Sequence, residues 1–389
     1  MKKKFLKMIA TVLTLGMLLT ACSSNTGEQA NNSSSTEENI VIGGLAPLTG
    51  NVAIYGETAV NGAKLAFEEI NEVGGILGKE VIYEVYDEKG DPTEAVNAYN
   101  KLSEKGVAAI LGDITSKPTA AVASIAESEG MPMVTPTGTQ LDITKDKDGV
   151  FRVCFTDPFQ GEMLAKYAGE NLKAKTAALM KNNSSDYSDG VYEAFKEKAK
   201  DYGIEIVAEE SYGDTDKDFR AQLTNIAKKS PDVLIIPDYY QVLSLIVTQA
   251  REAGIEATFL GPDGWDGVIK QLDKSSYDAL EGAIFSNHYS IKDEDPKVKN
   301  FVEKYKEKYN DEPSAFAALS YDGAYMLKEA IEKAGSTDHE AIIKELKNIE
   351  FSGVTGNLKF DENNNPVKAI SMIKIVDGDY TFDTLVEPK

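Results

Sequence analysis

From Ile40 onward, short β-rich runs alternate with helical stretches, and the alternation occurs twice. Ile40 to Leu45 reads as a strand. Tyr55 to Val73 carries Val60, Ala63, Leu65, Ala66, Phe67 and Ile70 at helical spacing, and Gly74-Gly75 stops it. Val81 to Tyr86 is the next strand. Asp91 then caps a helix that has Pro92 in its first turn and Glu94 placed to reach back. A strand at Val107–Leu111, a helix at Thr119–Glu129 and a strand at Met131–Val134 complete the first set. Strands separated by helices pair in parallel, and both faces of such a sheet are covered.

A second set begins near Asp157-Pro158. It predicts helices at Phe159–Leu172, Val191–Tyr202, Phe219–Lys229 and Val242–Ala253. Strands are predicted at Thr176–Met180, Ile204–Ala208, Val233–Ile236 and Thr258–Leu260. Three more helices follow, at Pro296–Tyr309, Ala315–Ala334 and Ala341–Lys347. Strands are predicted in the tail at Leu358–Phe360, Ala369–Val376 and Tyr380–Leu385. The pattern implies two α/β lobes with a cleft between them. Periodicity alone does not assign the C-terminal elements to a lobe.

Composition narrows the function. The 389 residues suit two domains of about 150 residues each. Lys plus Arg total 41 against 63 Asp plus Glu, a net charge of −22, which disfavours a nucleic-acid partner. Arginine is confined to Arg152, Arg220 and Arg251. The histidines are His288 and His339, and the cysteines are Cys22 and Cys154. This inventory excludes a Cys/His zinc cluster and a disulfide framework, and no cofactor is expected. Cys154, between Val153 and Phe155, reads as a buried small hydrophobe. The two histidines read as structural or surface residues.

The N-terminus reads as an address. Lys2, Lys3, Lys4 and Lys7 precede an apolar run from Met8 to Leu19. Twelve helical residues rise about 18 Å, too little for a bilayer core of about 30 Å, so an export signal fits better than a span. Leu19-Thr20-Ala21-Cys22 resembles the lipobox of bacterial lipoproteins. That resemblance implies a signal peptide at residues 1–21 and a diacylglycerol on Cys22. Residues 22–39 form a polar tether, giving a protein anchored to the outer face of the membrane.

In open parallel sheets, ligands bind beyond the carboxyl ends of strands. Beyond the first-lobe strands stand Pro47-Leu48-Thr49-Gly50 with Tyr55, then Gly112 to Ser116, then Thr135 to Thr139. Hydroxyls and amides near helix starts suit a carboxylate. Beyond the second-lobe strands stand Lys181 to Tyr187, then Pro237 to Tyr240, then Gly261 to Asp266. Aromatics and acids suit an ammonium. An anion clamp facing a cation clamp is what a zwitterion needs.

At these loops the chain resembles the leucine/isoleucine/valine-binding proteins, the substrate-binding components of ABC amino-acid importers. The segments that carry the likeness are IGGLAPLTGNVAIYGETAVNGAKLAFEEINEVGG, YDEKGDPTEAV, GDITSKPTAAVA, TPTGT, LGPDGWDG and FSGVTGNLKFDENNNPVK. The resemblance implies the type I periplasmic-binding-protein fold: two Rossmann-like lobes joined by a three-segment hinge, with ligand in the interlobe cleft. It divides the chain into an N-terminal lobe at 40–156 and 287–366 and a C-terminal lobe at 157–286 and 367–389. It puts carboxylate contacts on Ser116, Thr137 and Thr139, an aromatic wall on Tyr55, and second-lobe contacts on Tyr187 and Tyr239. Asp263 takes the α-ammonium where the best-known members have Glu, and Trp265 is a candidate for the side-chain pocket. Gly90 and Thr115 stand where some relatives carry a cysteine pair.

The implied protein is a monomer. It captures an amino acid, branched-chain above all, and hands it to ABC transporter permease subunits. The same fold could instead take another amino acid, an amide or an aromatic acid, for transport or sensing. An enzyme is not expected. There is no G-x-S-x-G elbow, and the sequence before Gly78-Lys79 lacks the first glycine of a phosphate loop. Asp263 and Asp266 could serve as an acid–base pair, but nothing near them indicates a substrate.

Overall fold

The computed structural model describes residues 39–388. The leader, Cys22 and most of the tether lie outside the described residues. The first part runs β1 (Ile40–Ala46), α1 (Ala53–Glu72), β2 (Val81–Asp87), α2 (Pro92–Glu104), β3 (Ala109–Leu111), α3 (Ser116–Glu129), β4 (Met133–Thr135) and β5 (Val150–Arg152). The second runs α4 (Asp157–Glu170), β6 (Thr176–Asn182), α5 (Asp186–Ala199), β7 (Glu205–Tyr212), α6 (Arg220–Ala227), β8 (Val233–Ile235), α7 (Tyr240–Glu252), β9 (Thr258–Gly261) and β10 (Ile284–Asn287). Then come α8 (Pro296–Tyr309), α9 (Ala315–Ala334), α10 (His339–Lys347), β11 (Glu350–Gly353), β12 (Gly356–Lys359), β13 (Ile370–Val376) and β14 (Asp379–Val386).

The strands form two principal sheets. The first has the order β2-β1-β3-β4-β5 and is parallel throughout. The second has the order β14-β13-β10-β9-β8-β6-β7. It is parallel from β10 to β7, and β13 and β14 extend it antiparallel. β11 and β12 form a separate small ladder. β5, β10 and β11 have no counterpart in the predicted strands. Each is only three or four residues long, too short for a clear period of two.

Helix caps explain several boundaries. Asp91 accepts the amides of Thr93 and Glu94 at 2.8 and 3.0 Å, which starts α2 at Pro92. Glu94 does not complete a capping box; its carboxylate lies 3.8 Å from the Lys89 ammonium instead. α5 starts at Asp186, five residues before the predicted Val191. Ser185 caps it by accepting the Ser188 amide, which places Tyr187 in the first turn.

Apolar side chains from α1, α8, α9 and α10 cover one face of the first sheet. Those of α2 and α3 cover the other. α4 and α5 pack on one face of the second sheet, and α6 and α7 on its opposite face. α1 and α9 cross closely at Gly62, where a Cβ would stand 2.0 Å from the Ala317 carbonyl oxygen. Alanine there would force the two helices apart. The chain passes between the two sheet systems three times: after β5, after β10 and after β12. Ala46, Tyr55 and Ile114 of the first system share an apolar cluster with Phe259, Trp265 and Phe285 of the second. The strand ends that carry the loops of interest therefore meet across a closed seam.

Candidate functional site

At this seam a nearly closed cavity of about 10 Å³, room for about one water molecule, is lined by Ile114, Ser116, Thr137, Thr139, Tyr187, Tyr239, Asp263, Gly264 and Phe316, among others. Six of the seven sequence-predicted ligand contacts stand on its wall. Tyr55, the seventh, packs just behind. Its ring stacks on Phe316 at 4.2 Å and meets Tyr239 edge-on at 5.6 Å. Its hydroxyl donates to the Gly264 carbonyl and accepts the Tyr240 amide at 3.2 Å, tying the two systems together.

The first-system wall is built by β3, β4 and the start of α3. The Thr115 side chain makes no cap hydrogen bond to α3, whose start lies at the cavity with the Tyr239 phenol beside the Ser116 amide. Such a start favours an anion. The Ser116 and Thr139 hydroxyls are 3.3 Å apart, and the Gln140 amide donates to Ser116 at 3.3 Å. The Thr137 hydroxyl donates to the Ile114 carbonyl at 2.6 Å. It is therefore committed to the loop, and Thr137 can offer an anion its backbone amide but not its hydroxyl proton. Arg152, fully buried, donates to the carbonyls of Gly138, Gln140 and Leu141 and to the Thr144 hydroxyl at 2.8–3.2 Å. It pins the loop that presents Thr137 and Thr139.

The second-system wall comes from the turns after β6, β8 and β9. Asp263 opens a single 3-10 turn, Asp263–Trp265. Its Oδ1 accepts the Tyr187 hydroxyl at 2.9 Å and the Gln160 amide group at 3.1 Å. Its Oδ2 lies 3.3 Å from His288 Nε2. Gln160 also accepts the Asp263 backbone amide at 2.9 Å and the Ser286 hydroxyl at 2.8 Å. Gly264 is required: a Cβ there would lie 2.7 Å from the Tyr187 hydroxyl. Tyr187 stacks on Tyr239 with centroids 4.9 Å apart.

The electrostatics are lopsided. Asp263 is 2 % exposed. His288 contacts it, but burial pushes the imidazole down to about 4, so it is neutral at pH 7. Burial, followed by the Asp263 charge, raises the Tyr187 phenol well above its ordinary value, so it stays protonated and donates. Asp263 is thus held by neutral donors, and no Lys or Arg pairs with it among the described residues. Asp157, at the start of α4, is also buried, with no hydrogen-bond partner on either oxygen. Burial raises its carboxyl well above the usual carboxylate range. An arriving ammonium would find a buried carboxylate with no competing cation.

Trp265 does not line this cavity. Its indole is fully buried in the second-system core and donates to the Ile236 carbonyl at 2.8 Å. The 3-10 turn directs Asp263 and Trp265 to different surroundings. Gln160, His288 and Phe316 join the site without having been singled out in the sequence. His288 is buried and stacks on Phe155 at 3.7 Å, the structural rather than the surface alternative of its sequence reading. Its position straight after β10 was the available signal, but β10 itself was not foreseen. His339 is half-buried and its Nε2 lies 3.0 Å from the Val107 carbonyl, a structural contact.

Known proteins share this scaffold. A family described as "Periplasmic binding protein" matches residues 39–379. The chain is 32% identical over 326 residues to the leucine-, isoleucine-, valine-, threonine- and alanine-binding protein of Pseudomonas aeruginosa, covering 84% of this chain and 86% of that one. It is 37% identical over 310 residues to the Leu/Ile/Val-binding protein BraC3 of Rhizobium johnstonii, covering 79% and 83%. Among solved structures, LivJ of Streptococcus pneumoniae in complex with isoleucine is similar with a TM-score of 0.85 and 35% identity, covering 90% of this chain and 100% of that one. The leucine-binding protein LivK of Thermotoga maritima is similar with a TM-score of 0.84 and 36% identity, covering 90% and 99%.

Proposed function

Because the chain belongs to the periplasmic binding protein family, we propose that it captures a free amino acid, with leucine, isoleucine or valine as the preferred cargo, and delivers it to an ABC importer. The observation that carries this reading is Asp263: a buried carboxylate held by neutral donors, across a small cavity from the start of α3. Opposite polarities on the walls of one cavity suit the two charges of one amino acid. The names of the relatives, which specify leucine, isoleucine and valine, support the choice of side chain.

In this reading the carboxylate of the ligand docks on Ser116, the backbone of Thr137, and Thr139. The ammonium docks on Asp263. Tyr187 and Tyr239 close over the aliphatic body, with Tyr55 packed behind them. The lobes are residues 40–156 with 287–366, and 157–286 with 367–389. Contacts made only when both lobes meet, such as Tyr55 with Gly264, favour the closed state once ligand is present. The permease then reads the closed form. The chain works outside the cytoplasmic membrane as a monomer, held by lipid on Cys22. No helix among the described residues is long and apolar enough to cross a membrane.

An aromatic acid or an amide without an ammonium would leave Asp263 buried and unpaired, which disfavours both as cargo. A thermal-shift screen of the twenty amino acids tests the proposal. A ligand at 100 times its Kd stabilises the native state by about 2.7 kcal/mol, enough to raise the Tm by several degrees. Leucine, isoleucine and valine are expected to give the largest shifts. Benzoate shifting the Tm where all three fail would overturn the reading.

A further inference from the structure

On the other side of Tyr55 lies a second cavity, distinct from the one that holds Asp263. Its volume is about 150 Å³, similar to that of an engineered apolar cavity that binds benzene. Its walls include Tyr55, Asp266, Ile269, Tyr289, Ile373 and Tyr380. The lining is mainly apolar and aromatic, with one acid set deep within it. Asp266 is 4% exposed. Its Oδ2 accepts the Ala315 amide at 2.8 Å and the Asn287 side-chain amide at 3.3 Å. Its Oδ1 accepts no hydrogen bond among the described residues, and Asp266 lines the cavity.

The charges around this acid leave room for a cation. Lys270, on the rim, is engaged by Asp311 at 2.5 Å. Asp379 on the rim is engaged by Lys292 at 2.7 Å, and Glu312 by Lys306 at 2.6 Å. The Lys270 charge still reaches Asp266 and favours its ionised form, while Asp263, behind the turn, repels it more weakly. Tyr289 and Tyr380 face Asp266 and are kept protonated by burial. Burial raises the Asp266 carboxyl, and a neighbouring ammonium would restore its ionised form.

We propose that this cavity is a second ligand site, which takes a small organic monoamine with an apolar body. Its ammonium rests on Asp266 Oδ1, its body lies between Ile269 and Ile373, and the rings of Tyr289 and Tyr380 flank the charge. The site goes beyond the amino-acid reading, because such a ligand needs no carboxylate. It also touches the same machinery. The Asp266 amide donates to the Asp263 carbonyl at 3.0 Å, and Tyr55 separates the two cavities. Walls from α1 and from the segments after β9 and β13 mean that an occupant bridges both sheet systems.

The test is a calorimetric titration of the purified full chain with 2-phenylethylamine, and with 2-phenylethanol as its uncharged counterpart. The amine is expected to bind one saturable site in the wild type and in D263N. The alcohol is expected to bind at least tenfold more weakly, as is the amine to D266N. The side-chain carbonyl introduced by D266N can still accept the Ala315 amide, and a melting curve checks that the variant folds. The alcohol comparison needs no variant. The proposal is overturned by absence of saturable amine binding at millimolar concentration, by equal binding of amine and alcohol, or by binding that D263N abolishes and D266N retains.

Discussion

The Tyr187 hydroxyl donates to Asp263 Oδ1 at 2.9 Å and accepts the Gly264 amide at 2.9 Å. One phenol thereby fixes both the side chain and the backbone of the turn that presents the acid. Removing it in Tyr187→Phe leaves the ring stack on Tyr239 in place but takes away one of the three contacts that hold the carboxylate, leaving Gln160 and His288. Leucine affinity is expected to fall by about 1 kcal/mol, the typical net worth of one hydrogen bond. Titration calorimetry reads the change, and an unaltered affinity would show that the turn needs no such brace.

Ser116→Ala should cost less. Its hydroxyl is shared between Thr139 and the Gln140 amide, both at 3.3 Å, and the amides at the start of α3 remain. A loss of about 0.5–1 kcal/mol in leucine binding is expected. Abolished binding would mean that the hydroxyl, rather than the helix start, holds the carboxylate.

Glu88 and Asp113 form a buried acid pair beneath the first wall, with both Glu88 oxygens and Asp113 Oδ2 lacking hydrogen-bond partners. Burial and, for Glu88, the neighbouring Asp113 raise both carboxyls. Groups raised in the folded state bind more protons there than when unfolded. Their contribution is full below about pH 4 and falls as pH rises through the folded values. Glu88→Gln is therefore expected to gain stability relative to wild type at pH 8 and to gain little at pH 4. Urea unfolding at the two pH values checks the sign, and an advantage confined to acid would refute the assignment.

His288 runs the opposite way. Its imidazole is pushed down to about 4 by burial, from an ordinary value near 6.5. Between those values the unfolded chain binds a proton that the folded one refuses, so stability falls as pH drops from about 6.5 towards 4. At 1.36 kcal/mol per pH unit, His288 accounts for about 2 kcal/mol of loss between pH 7 and pH 4.5. His288→Gln should narrow the difference in unfolding free energy between those two pH values by about that amount. A difference that stays the same would place the imidazole in a more solvated setting.

The sequence made the repeating α/β architecture legible because apolar runs of four to seven residues, glycine stops and caps such as Asp91 act locally. Most of the cavity wall was legible for a related reason. Ser116, Thr137, Thr139, Tyr187, Tyr239 and Asp263 all follow strands, and ligands in such sheets gather at strand ends. What escaped depends on contacts distant in sequence. Gln160 reaches Asp263 across 103 residues, from a helix interior whose local pattern marks nothing. His288 follows a four-residue strand that only its neighbours in the sheet define. Trp265 stands two residues from Asp263, but the tight 3-10 turn sends its indole into the core. Linear proximity to a site residue was a poor guide there.

The central claim is that Asp263 is the counter-charge for a bound amino acid. Asp263→Asn keeps the shape and can still accept the Tyr187 hydroxyl, but it removes the charge. Titration of wild type and variant with leucine at pH 7 measures that charge directly. A loss of about 2–5 kcal/mol in binding free energy is predicted, with melting behaviour of the free protein preserved. Leucine bound equally well by both proteins would contradict the account.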